Sequence, residues 1–431
     1  MRASAQRPNT PDSRERAALV GLFSGPSRQF DPEHSLDELA GLASAAGAQV
    51  VLRVLQDRPK PDPATFLGSG KVESLAASCD EVGADVVIFD NELSPAQLRN
   101  LERILDRKVV DRTQLILDIF ARRAKTREGK LQVELAQLKY LMPRLVGANA
   151  ALSRLGGGIG TRGPGETKLE TDRRRVRHRV SIVTKDIDAV RRRRSQLRER
   201  RHKSAVPTVA LVGYTNAGKT TLFNALTGDE AVASNALFVT LDPLVRKVKL
   251  PDRRELLVSD TVGFIERLPH SLVAAFRATL EEVAAADLLL HVVDSSSPDR
   301  ERHMNAVREV LAEVGADTVP TLDVFNKCDQ LDASERERLR AVYPGALCVS
   351  ALTGEGRDEL IAAMEARLAL DTTRVTFEFQ AASETDRNQI SQLYRVGRIL
   401  RHVAADGTIV IEAELPRRVL DKFAPTATQR S

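Results

Sequence analysis

The stretch "VALVGYTNAGKTTLFNAL", residues 209–226, decides the fold of the central part of the chain. An apolar run leads into Gly213, a helical pattern follows Thr220, and the residues between them read G-x-x-x-x-G-K-T. Glycines let backbone N–H groups curl around a phosphate, and the positive end of the following helix adds to the attraction. Strand, loop and helix in this order predict a P-loop nucleotide site in a parallel α/β domain.

The residue types inside this loop predict individual contacts. Lys219 is expected to bridge the β- and γ-phosphates, and the Thr220 hydroxyl is expected to ligate Mg²⁺. Asn216 matches a position that helps some GTPases to bind K⁺, and a simple hydrogen bond within the loop is the alternative. The predicted nucleotide-binding residues of the loop are Gly213, Tyr214, Thr215, Asn216, Ala217, Gly218, Lys219, Thr220 and Thr221.

Three short motifs follow in the order that a guanine-nucleotide site requires. The first, "LLVSDTVGF", places a carboxylate near the water of the metal and a glycine N–H near the γ-phosphate. The second, "LDVFNKCD", ends in an aspartate that can accept hydrogen bonds from guanine N1 and N2, whereas adenine lacks the N2 donor. The third, "CVSALTG", offers backbone groups to guanine O6. The predicted residues are Asp260, Gly263, Asn326, Lys327, Asp329, Ser350, Ala351 and Leu352, with GTP and GDP as ligands.

Two residues predict how the site responds to the third phosphate. Thr240, in "LFVTLDP", fits the mobile threonine that reaches the metal only when the γ-phosphate is present. Phe264 stands where many GTPases place a glutamine that orients the attacking water. A phenylalanine cannot hydrogen-bond water, so the sequence predicts slow intrinsic hydrolysis that a partner accelerates; alternatively, the ring simply packs beneath the switch. The predicted catalytic residues are Lys219, Thr240 and Gly263, and the predicted metal ligands are Thr220, Thr240 and, through water, Asp260.

The regions on either side of this domain complete the predicted architecture. Residues 1–112, of which the first 16 are expected to be mobile, alternate apolar strands with helical patterns and predict a small parallel α/β subdomain. Residues 113–204 carry two heptad stripes that predict an antiparallel helical hairpin. Residues 205–371 form the predicted P-loop GTPase domain, and residues 372–431 a small C-terminal α+β domain. The overall fold class is therefore α/β.

Local signals place some helix starts in the N-terminal region. Ser35 and Ser94 are each followed three residues later by Glu38 or Gln97, which is the capping-box pattern. The stretch "FLGSGKVES", residues 66–74, has a glycine-lysine pair but no preceding apolar strand. It therefore predicts a loop that enters a helix, with a second phosphate loop as the weaker alternative.

Basic charge is concentrated in the second arm of the predicted hairpin. The segment 173–203 holds 14 Lys and Arg against 3 Asp and Glu, a net charge of +11, so the remainder carries −6 of the chain's total of +5. Such a segment points to a polyanionic partner, and a solvated helix face is the alternative. Aromatic residues make up only 4% of the chain, with no tryptophan, so base stacking is disfavoured as the main mode of recognition.

The remaining composition indicates in which compartment the protein is expected to act. The apolar runs are far shorter than the eighteen or so residues of a membrane span, and no cleavable leader pattern opens the chain. Three cysteines without a CxxC pair argue against disulfides and zinc. These features predict a cytoplasmic protein of two to four domains.

Together these motifs resemble the HflX family of ribosome-associated GTPases over about residues 35–370. The most specific element is "GGGIGTRGPGETKLETDRR", residues 156–174, within a region of seven glycines between positions 147 and 165. "LDPLVR" departs from the resemblance, since the family commonly has threonines where Leu244 and Val245 stand, which leaves the fine behaviour of the first switch open.

The resemblance implies a partner as well as a fold. It implies a monomer whose N-terminal part and glycine-rich loop bind the large ribosomal subunit and its RNA, and that dissociates or rescues stalled or idle ribosomes under stress. The expected RNA-binding residues are Gly157, Gly158, Arg162, Arg173, Arg174, Arg175, Arg191, Arg192, Arg193 and Arg194. Two other functions stay open: a GTPase of tRNA modification or ribosome assembly, and a nucleotide-gated RNA-binding scaffold with little turnover.

Overall fold

The computed structural model describes residues 14–24, 32–145, 164–203, 206–229, 237–250, 255–267, 280, 282–368, 372–380, 382–405, 407–416, 420, 423 and 427–428. The chain divides into two compact units. The first comprises Met1–Val190, Ser234–Asp242 and Arg267–Arg277, and the second comprises Arg191–Ala233, Pro243–Glu266 and Ala278–Ser431. The domain boundaries at residues 112, 204 and 371 stay predictions, and the predicted mobile start lies largely outside the described residues.

A four-stranded parallel sheet forms the core of the first unit, with strand order β2-β1-β3-β4. Three of its strands, β1, β3 and β4, are largely buried, whereas β2 at one edge is only half-buried, and a helix follows each strand as the alternating sequence pattern predicts. Its elements are β1 (Arg16–Phe23), α1 (Pro32–Ala45), β2 (Gln49–Asp57), α2 (Ser69–Val82), β3 (Val86–Phe89), α3 (Pro95–Leu105) and β4 (Lys108–Asp111).

The three helix starts predicted in this unit have different outcomes. Ser94 forms a full capping box with Gln97, and "GSGK" enters α2, so both predictions are confirmed. The capping box at Ser35 is wrong, because α1 begins three residues earlier, at Pro32, which has the fixed φ suited to the first helical position. The Ser35 hydroxyl instead donates to Asp90 Oδ2 at 2.7 Å.

The antiparallel hairpin is confirmed. Helix α4 (Arg112–Arg123) leads into α5 (Arg127–Arg144), and α6 runs without a break over Pro164–Lys203. An apolar seam joins α5 to α6, and it is made by Leu131, Leu135, Leu138, Val180, Val183 and Ile187. Arg179 donates to both carboxylate oxygens of Glu134 beside this seam. The heptad positions Leu169 and Leu197 of α6 lie outside the described side chains.

A six-stranded sheet forms the core of the second unit, with strand order β10-β9-β8-β5-β7-β6, in which only β6 is antiparallel. Strand β5 lies in the middle, between β8 and β7, so the chain reverses its direction of growth there and leaves a crevice for a ligand at the strand's carboxyl end. Its elements are β5 (Thr208–Gly213), α7 (Lys219–Thr227), β6 (Leu244–Lys249), β7 (Glu255–Asp260), β8 (Leu288–Asp294), α8 (Arg300–Glu313), β9 (Thr321–Asn326), α9 (Ala333–Val342), β10 (Leu347–Cys348) and α10 (Arg357–Arg367).

The C-terminal part forms the predicted α+β arrangement with one additional long strand. The sheet is antiparallel, with order β12-β13-β11-β14, and α11 packs on its apolar face. The strand β12 has almost no buried side chains and therefore lacks the apolar alternation by which a strand is recognised. The elements are β11 (Thr372–Gln380), α11 (Glu384–Val396), β12 (Arg398–Ala405), β13 (Thr408–Pro416) and β14 (Ala427–Thr428).

Candidate functional site

The glycines of the phosphate loop are required by close packing as well as by the ligand. A Cβ added at Gly213 would lie 2.3 Å from the carbonyl oxygen of Val292 on the neighbouring strand. At Gly218, which has a φ of +88°, a Cβ would lie 2.2 Å from Asn326 Nδ2. Asn216 also has a positive φ, of +60°, and its side chain is exposed. These constraints curl the loop between β5 and α7.

Lys219 is buried and held by the loop itself. Its ammonium donates to the carbonyl oxygens of Gly213 at 3.1 Å and Tyr214 at 2.8 Å. Burial lowers the pKa of Lys219 to about 8, and the nearby charge of Asp260 opposes this effect only in part. A phosphate group favours the ammonium form, so nucleotide binding must raise this pKa again.

This lowered pKa predicts a pH-dependent affinity for nucleotide. Above about pH 8 the free protein has lost the Lys219 proton, and nucleotide binding has to restore it. We therefore expect GDP affinity to fall as the pH rises from 7.5 to 9.5, approaching tenfold per pH unit above about pH 8. Calorimetry at pH 8 in two buffers of different ionisation enthalpy should show uptake of roughly half a proton. In Lys219→Arg, whose guanidinium stays charged, the uptake should disappear; undiminished uptake there would assign the proton to another group.

Thr220 and Asp260 meet at the predicted metal position. The Thr220 hydroxyl donates to Asp260 Oδ2 at 2.9 Å, and Asp260 is fully buried at the end of β7. A hydroxyl and a carboxylate are the hard oxygen donors that suit Mg²⁺. Thr240 belongs to the first unit, and its role as a third ligand stays a prediction. The described part of the chain contains no group of three or more His, Cys, Asp or Glu side chains arranged to hold a metal ion.

Gly263 and Phe264 lie directly against the phosphate loop. A Cβ on Gly263 would stand 2.9 Å from Thr215 Cα and 3.1 Å from Lys219 Nζ, so only glycine fits here. Phe264 accepts a hydrogen bond from the Thr215 N–H at 2.6 Å and donates its own N–H to Gly213 at 3.1 Å. Phe264 is only 1% exposed, so its ring is buried.

The Tyr214 side chain fixes the residues that follow Phe264. Its hydroxyl accepts the N–H of Glu266 at 3.0 Å, and its ring stacks on His303 with centroids 3.8 Å apart. The Glu266 carboxylate is in turn paired with Arg302 on α8, with 2.7 Å between Arg302 Nη2 and Glu266 Oε2. The sequence pattern placed Tyr214 among the predicted nucleotide-binding residues of the loop, and nothing in its spacing points to these distant partners.

Asn326 joins the phosphate loop to the base-binding motifs. Its amide donates to the carbonyl of Ala217 at 2.9 Å, and its Oδ1 accepts the N–H of Ala351 at 2.9 Å. Lys327 has a φ of +65° and pairs with Asp294 at 2.5 Å. The Asp329 side chain that follows is exposed, and its contact with the base stays a prediction. The side-chain amide of Asn326 thus connects its own motif to the phosphate loop and to the loop that contains Ala351.

The backbone N–H groups predicted to meet guanine O6 make hydrogen bonds within the protein, and their role at the base stays a prediction. The N–H of Ala351 is used by Asn326, and the N–H of Ser350 donates to the carbonyl of Glu355 at 2.9 Å. Ser350 is buried and its hydroxyl accepts the N–H of Thr353 at 3.2 Å, whereas the Leu352 side chain is 80% exposed. In this arrangement Ser350 and Ala351 shape the loop, so a direct bond from either N–H to O6 needs one of these contacts to open.

The predicted RNA-binding residues fall into two groups. Arg174 and Arg175 are about four-fifths exposed, and their contacts with Glu170 and Asp172 are long, at 3.9 and 3.8 Å. Exposed pairs of this kind contribute little and leave the positive charge available to a partner. Arg192 and Arg193 are also exposed, whereas Arg173 and Arg191 are half-buried. Gly157, Gly158, Arg162 and the side chain of Arg194 lie outside the described residues.

Three family models match the chain in succession. The model described as the N-terminal region of GTP-binding GTPases matches residues 33–121, and the model of their middle region matches residues 123–201. The model described as 50S ribosome-binding GTPase matches residues 208–327. Within the described residues, no helix is long and apolar enough to cross a bilayer.

Curated relatives cover almost the whole chain. The GTPase HflX of Caldanaerobacter subterraneus subsp. tengcongensis is 45% identical over 95% of this chain and 93% of the relative. The GTPase HflX of Escherichia coli K12 is 43% identical over 94% of each. Among solved structures, a GTP-binding protein of Sulfolobus solfataricus in complex with GDP is 25% identical, with a TM-score of 0.43, over 82% of this chain and 98% of that one.

These matches extend over both units and include the phosphate loop and the guanine-binding motif described above. Sequence identity exceeds 40% over more than nine-tenths of both chains, so the similarity covers the whole architecture and is not limited to the nucleotide site. The chain therefore binds GTP and GDP, hydrolyses GTP, and belongs to the HflX family of GTPases.

Proposed function

We propose that the chain is a GTP-driven switch that binds the large ribosomal subunit and promotes dissociation or rescue of stalled or idle ribosomes under stress, acting as a monomer in the cytoplasm. The observation that carries the proposal is the helix α6, on which Arg174 and Arg175 are about four-fifths exposed and make only long contacts with Glu170 and Asp172. Arginine forks bind phosphates in pairs of hydrogen bonds, and structured RNA is recognised largely through its backbone. The match of residues 208–327 to a family described as 50S ribosome-binding GTPase supports the same partner.

Mg²⁺ fits the oxygen donors of this site. Thr220 and Asp260 would hold the ion, Asp260 through a water molecule, and Thr240 would join them when GTP is bound. When bound, Mg²⁺ neutralises charge on the phosphate oxygens. The chain itself contributes Lys219, which would bind the phosphates. It also contributes Gly263, whose backbone lies close to Thr215 and Lys219 and would face the γ-phosphate.

Hydrolysis is proposed to depend on the ribosome. The buried ring of Phe264 cannot orient a water molecule, so a group positioned by the ribosome has to do so. In single-turnover assays, large subunits should raise the GTPase rate at least tenfold; an unchanged rate would favour the RNA-binding scaffold. Repeating the assay in K⁺ and in Na⁺ separates a cation-binding role of Asn216 from a hydrogen bond within the loop.

Sedimentation tests the function directly. Whole ribosomes mixed with the protein and a non-hydrolysable GTP analogue are expected to separate into subunits on a sucrose gradient, with the protein in the large-subunit fraction. The same mixture with GDP is the control and should leave whole ribosomes intact. Binding to the small subunit, or to free tRNA in preference to ribosomes, would replace the proposal by the assembly or tRNA-modification alternative.

A further inference from the structure

The segment that carries Thr240 is anchored in the first unit on one side by an aromatic contact. Phe238 is 1% exposed, and its ring packs edge-on against Phe120 of α4, with centroids 4.7 Å apart. Leu237 lies against α1, because a Cβ added at Gly41 would be 3.1 Å from Leu237 Cδ1. Phe238 also has a φ of +56°, a left-handed conformation that non-glycine residues adopt only when their surroundings impose it.

The other side of Thr240 is anchored by a carboxylate. Asp242 Oδ2 accepts the N–H groups of Lys125 at 2.8 Å and Thr126 at 2.9 Å, and its Oδ1 accepts the hydroxyl of Thr126. These donors stand immediately before α5, at the positive end of the helix, where a negative charge is favoured. Thr126 is itself the N-cap of α5, through a 3.0 Å bond from the Gly129 N–H. Asp242 therefore supports a helix that lies more than 100 residues away in the sequence.

Gly129 makes room for this carboxylate. A Cβ at this position would lie 2.3 Å from Asp242 Oδ1 and 3.3 Å from its Cγ. Glycine inside a helix is less favourable than alanine because it loses more conformational freedom on folding. The close approach of Asp242 explains why the third position of α5 has no side chain.

The far end of α5 is fixed by the carboxylate of Asp111, which is fully buried. Asp111 accepts the hydroxyl of Tyr140 at 2.9 Å and a guanidinium N–H of Arg144 at 3.0 Å. The Arg144 guanidinium also lies 3.4 Å from the centre of the Tyr140 ring. Because α5 has 18 residues, it spans about 27 Å from its N-terminus beside Asp242 to Arg144.

We propose that Asp242 is a positioning residue that holds the Thr240 segment in place for GTP and links the position of this segment to the N-terminus of α5. The proposal rests on the proposed function for the role of Thr240 at the metal, but not for ribosome binding. Phe238 and Asp242 anchor the chain two residues before and two residues after Thr240. Because the segment is already restrained, it loses less conformational entropy when GTP binds, and this preorganisation raises the affinity for GTP. GDP lacks the third phosphate, so its affinity should not depend on the anchor.

The first test removes the carboxylate in the full-length protein. In Asp242→Ala, the affinity for a fluorescent non-hydrolysable GTP analogue should fall five- to tenfold, while that for fluorescent GDP changes less than twofold. Asp242→Asn, which keeps one acceptor oxygen, should recover part of the loss. Equal losses for both nucleotides would indicate a merely structural role, and a rise in GTP-analogue affinity would show that the carboxylate restrains Thr240; either result overturns the proposal.

The second test disturbs the same contact from α5. Gly129→Ala favours the helix but expels Asp242, so it should reproduce the selective loss for the GTP analogue; Gly70→Ala in α2, where an added Cβ meets nothing within 4 Å, is the matched control and should have no effect. In the Asp242→Ala background, Gly129→Ala should cost nothing further. Additive losses would mean that the two residues do not act on each other.

Hydrogen exchange tests the link between Asp242 and α5 independently of ribosome binding. With the GTP analogue bound, amide exchange of residues 125–133 should be slower than with GDP in the wild-type protein, and this difference should vanish in Asp242→Ala. An unchanged exchange rate in the wild type overturns the link to α5 whatever ribosomes do. If the exchange difference is found but sedimentation shows no ribosome binding, the link stands and the proposed function fails.

Discussion

Replacing Asp329 by asparagine is expected to lower the affinity for GTP at least 100-fold and to raise the affinity for xanthosine triphosphate. The carboxylate accepts two hydrogen bonds from guanine, from N1–H and the N2 amino group, and the amide would instead place a donor against the N2 amino group. A 100-fold loss corresponds to about 3 kcal/mol, as expected when a pair of base contacts is replaced by a clash of donors. Xanthine has an oxygen at that position, which accepts the new donor.

The measurement is competition of GTP and xanthosine triphosphate for a fluorescent nucleotide. Because Asp329 is exposed in the turn Cys328–Gln330, the substitution should leave the melting temperature unchanged. The matched control, Asp317→Asn, changes an exposed aspartate of another turn and should keep the preference for GTP. If Asp329→Asn binds both nucleotides as the wild type does, the base lies elsewhere.

Reversing the charge of Arg173, Arg174, Arg175 and Arg191–Arg194 to glutamate is expected to lower affinity for the large subunit at least 1000-fold near 0.1 M salt. Each phosphate contact releases counterions, so the slope of log affinity against log salt should shrink by up to about five or six if all seven residues contact RNA. Filter binding or sedimentation over a series of salt concentrations measures both quantities. Nucleotide affinity should remain unchanged, since these residues lie outside the phosphate loop.

A smaller pair of variants controls for total charge. Reversing only Arg173–Arg175 should weaken binding and lower the salt slope, whereas reversing Arg338, Arg340 and Arg357, which are exposed on α9 and at the start of α10, should have a much smaller effect. Circular dichroism checks that α6 stays helical, because the new glutamates stand near Glu170 and Asp172. Binding that stays tight and insensitive to salt in the seven-residue variant would remove α6 from the interface.

The sequence was most informative where function depends on short spacing. The phosphate loop, the order of the guanine motifs and the Ser94 capping box are all local patterns, and the structure places them on the expected elements. Ser35 shows the limit of this reasoning. Its spacing to Glu38 fits a capping box. However, Ser35 lies within α1, and its hydroxyl donates a hydrogen bond to Asp90, 55 residues away.

Other features depend on contacts that no spacing reveals. Asn326 was expected at the base, but its amide also joins Ala217 to Ala351 across more than 100 residues of sequence. The strand β12 was missed because both its faces are largely exposed and it lacks an apolar alternation. Asp242 reads as an ordinary loop residue until the N-terminus of α5 is placed beside it.

The bond between Arg144 and Asp111 has a consequence for how this family can diversify. It ties the last turn of α5 to the sheet, so the point at which the chain departs towards residues 146–163 is set independently of what that stretch contains. Insertions or deletions beyond residue 145 are therefore expected to leave the position of α5 unchanged.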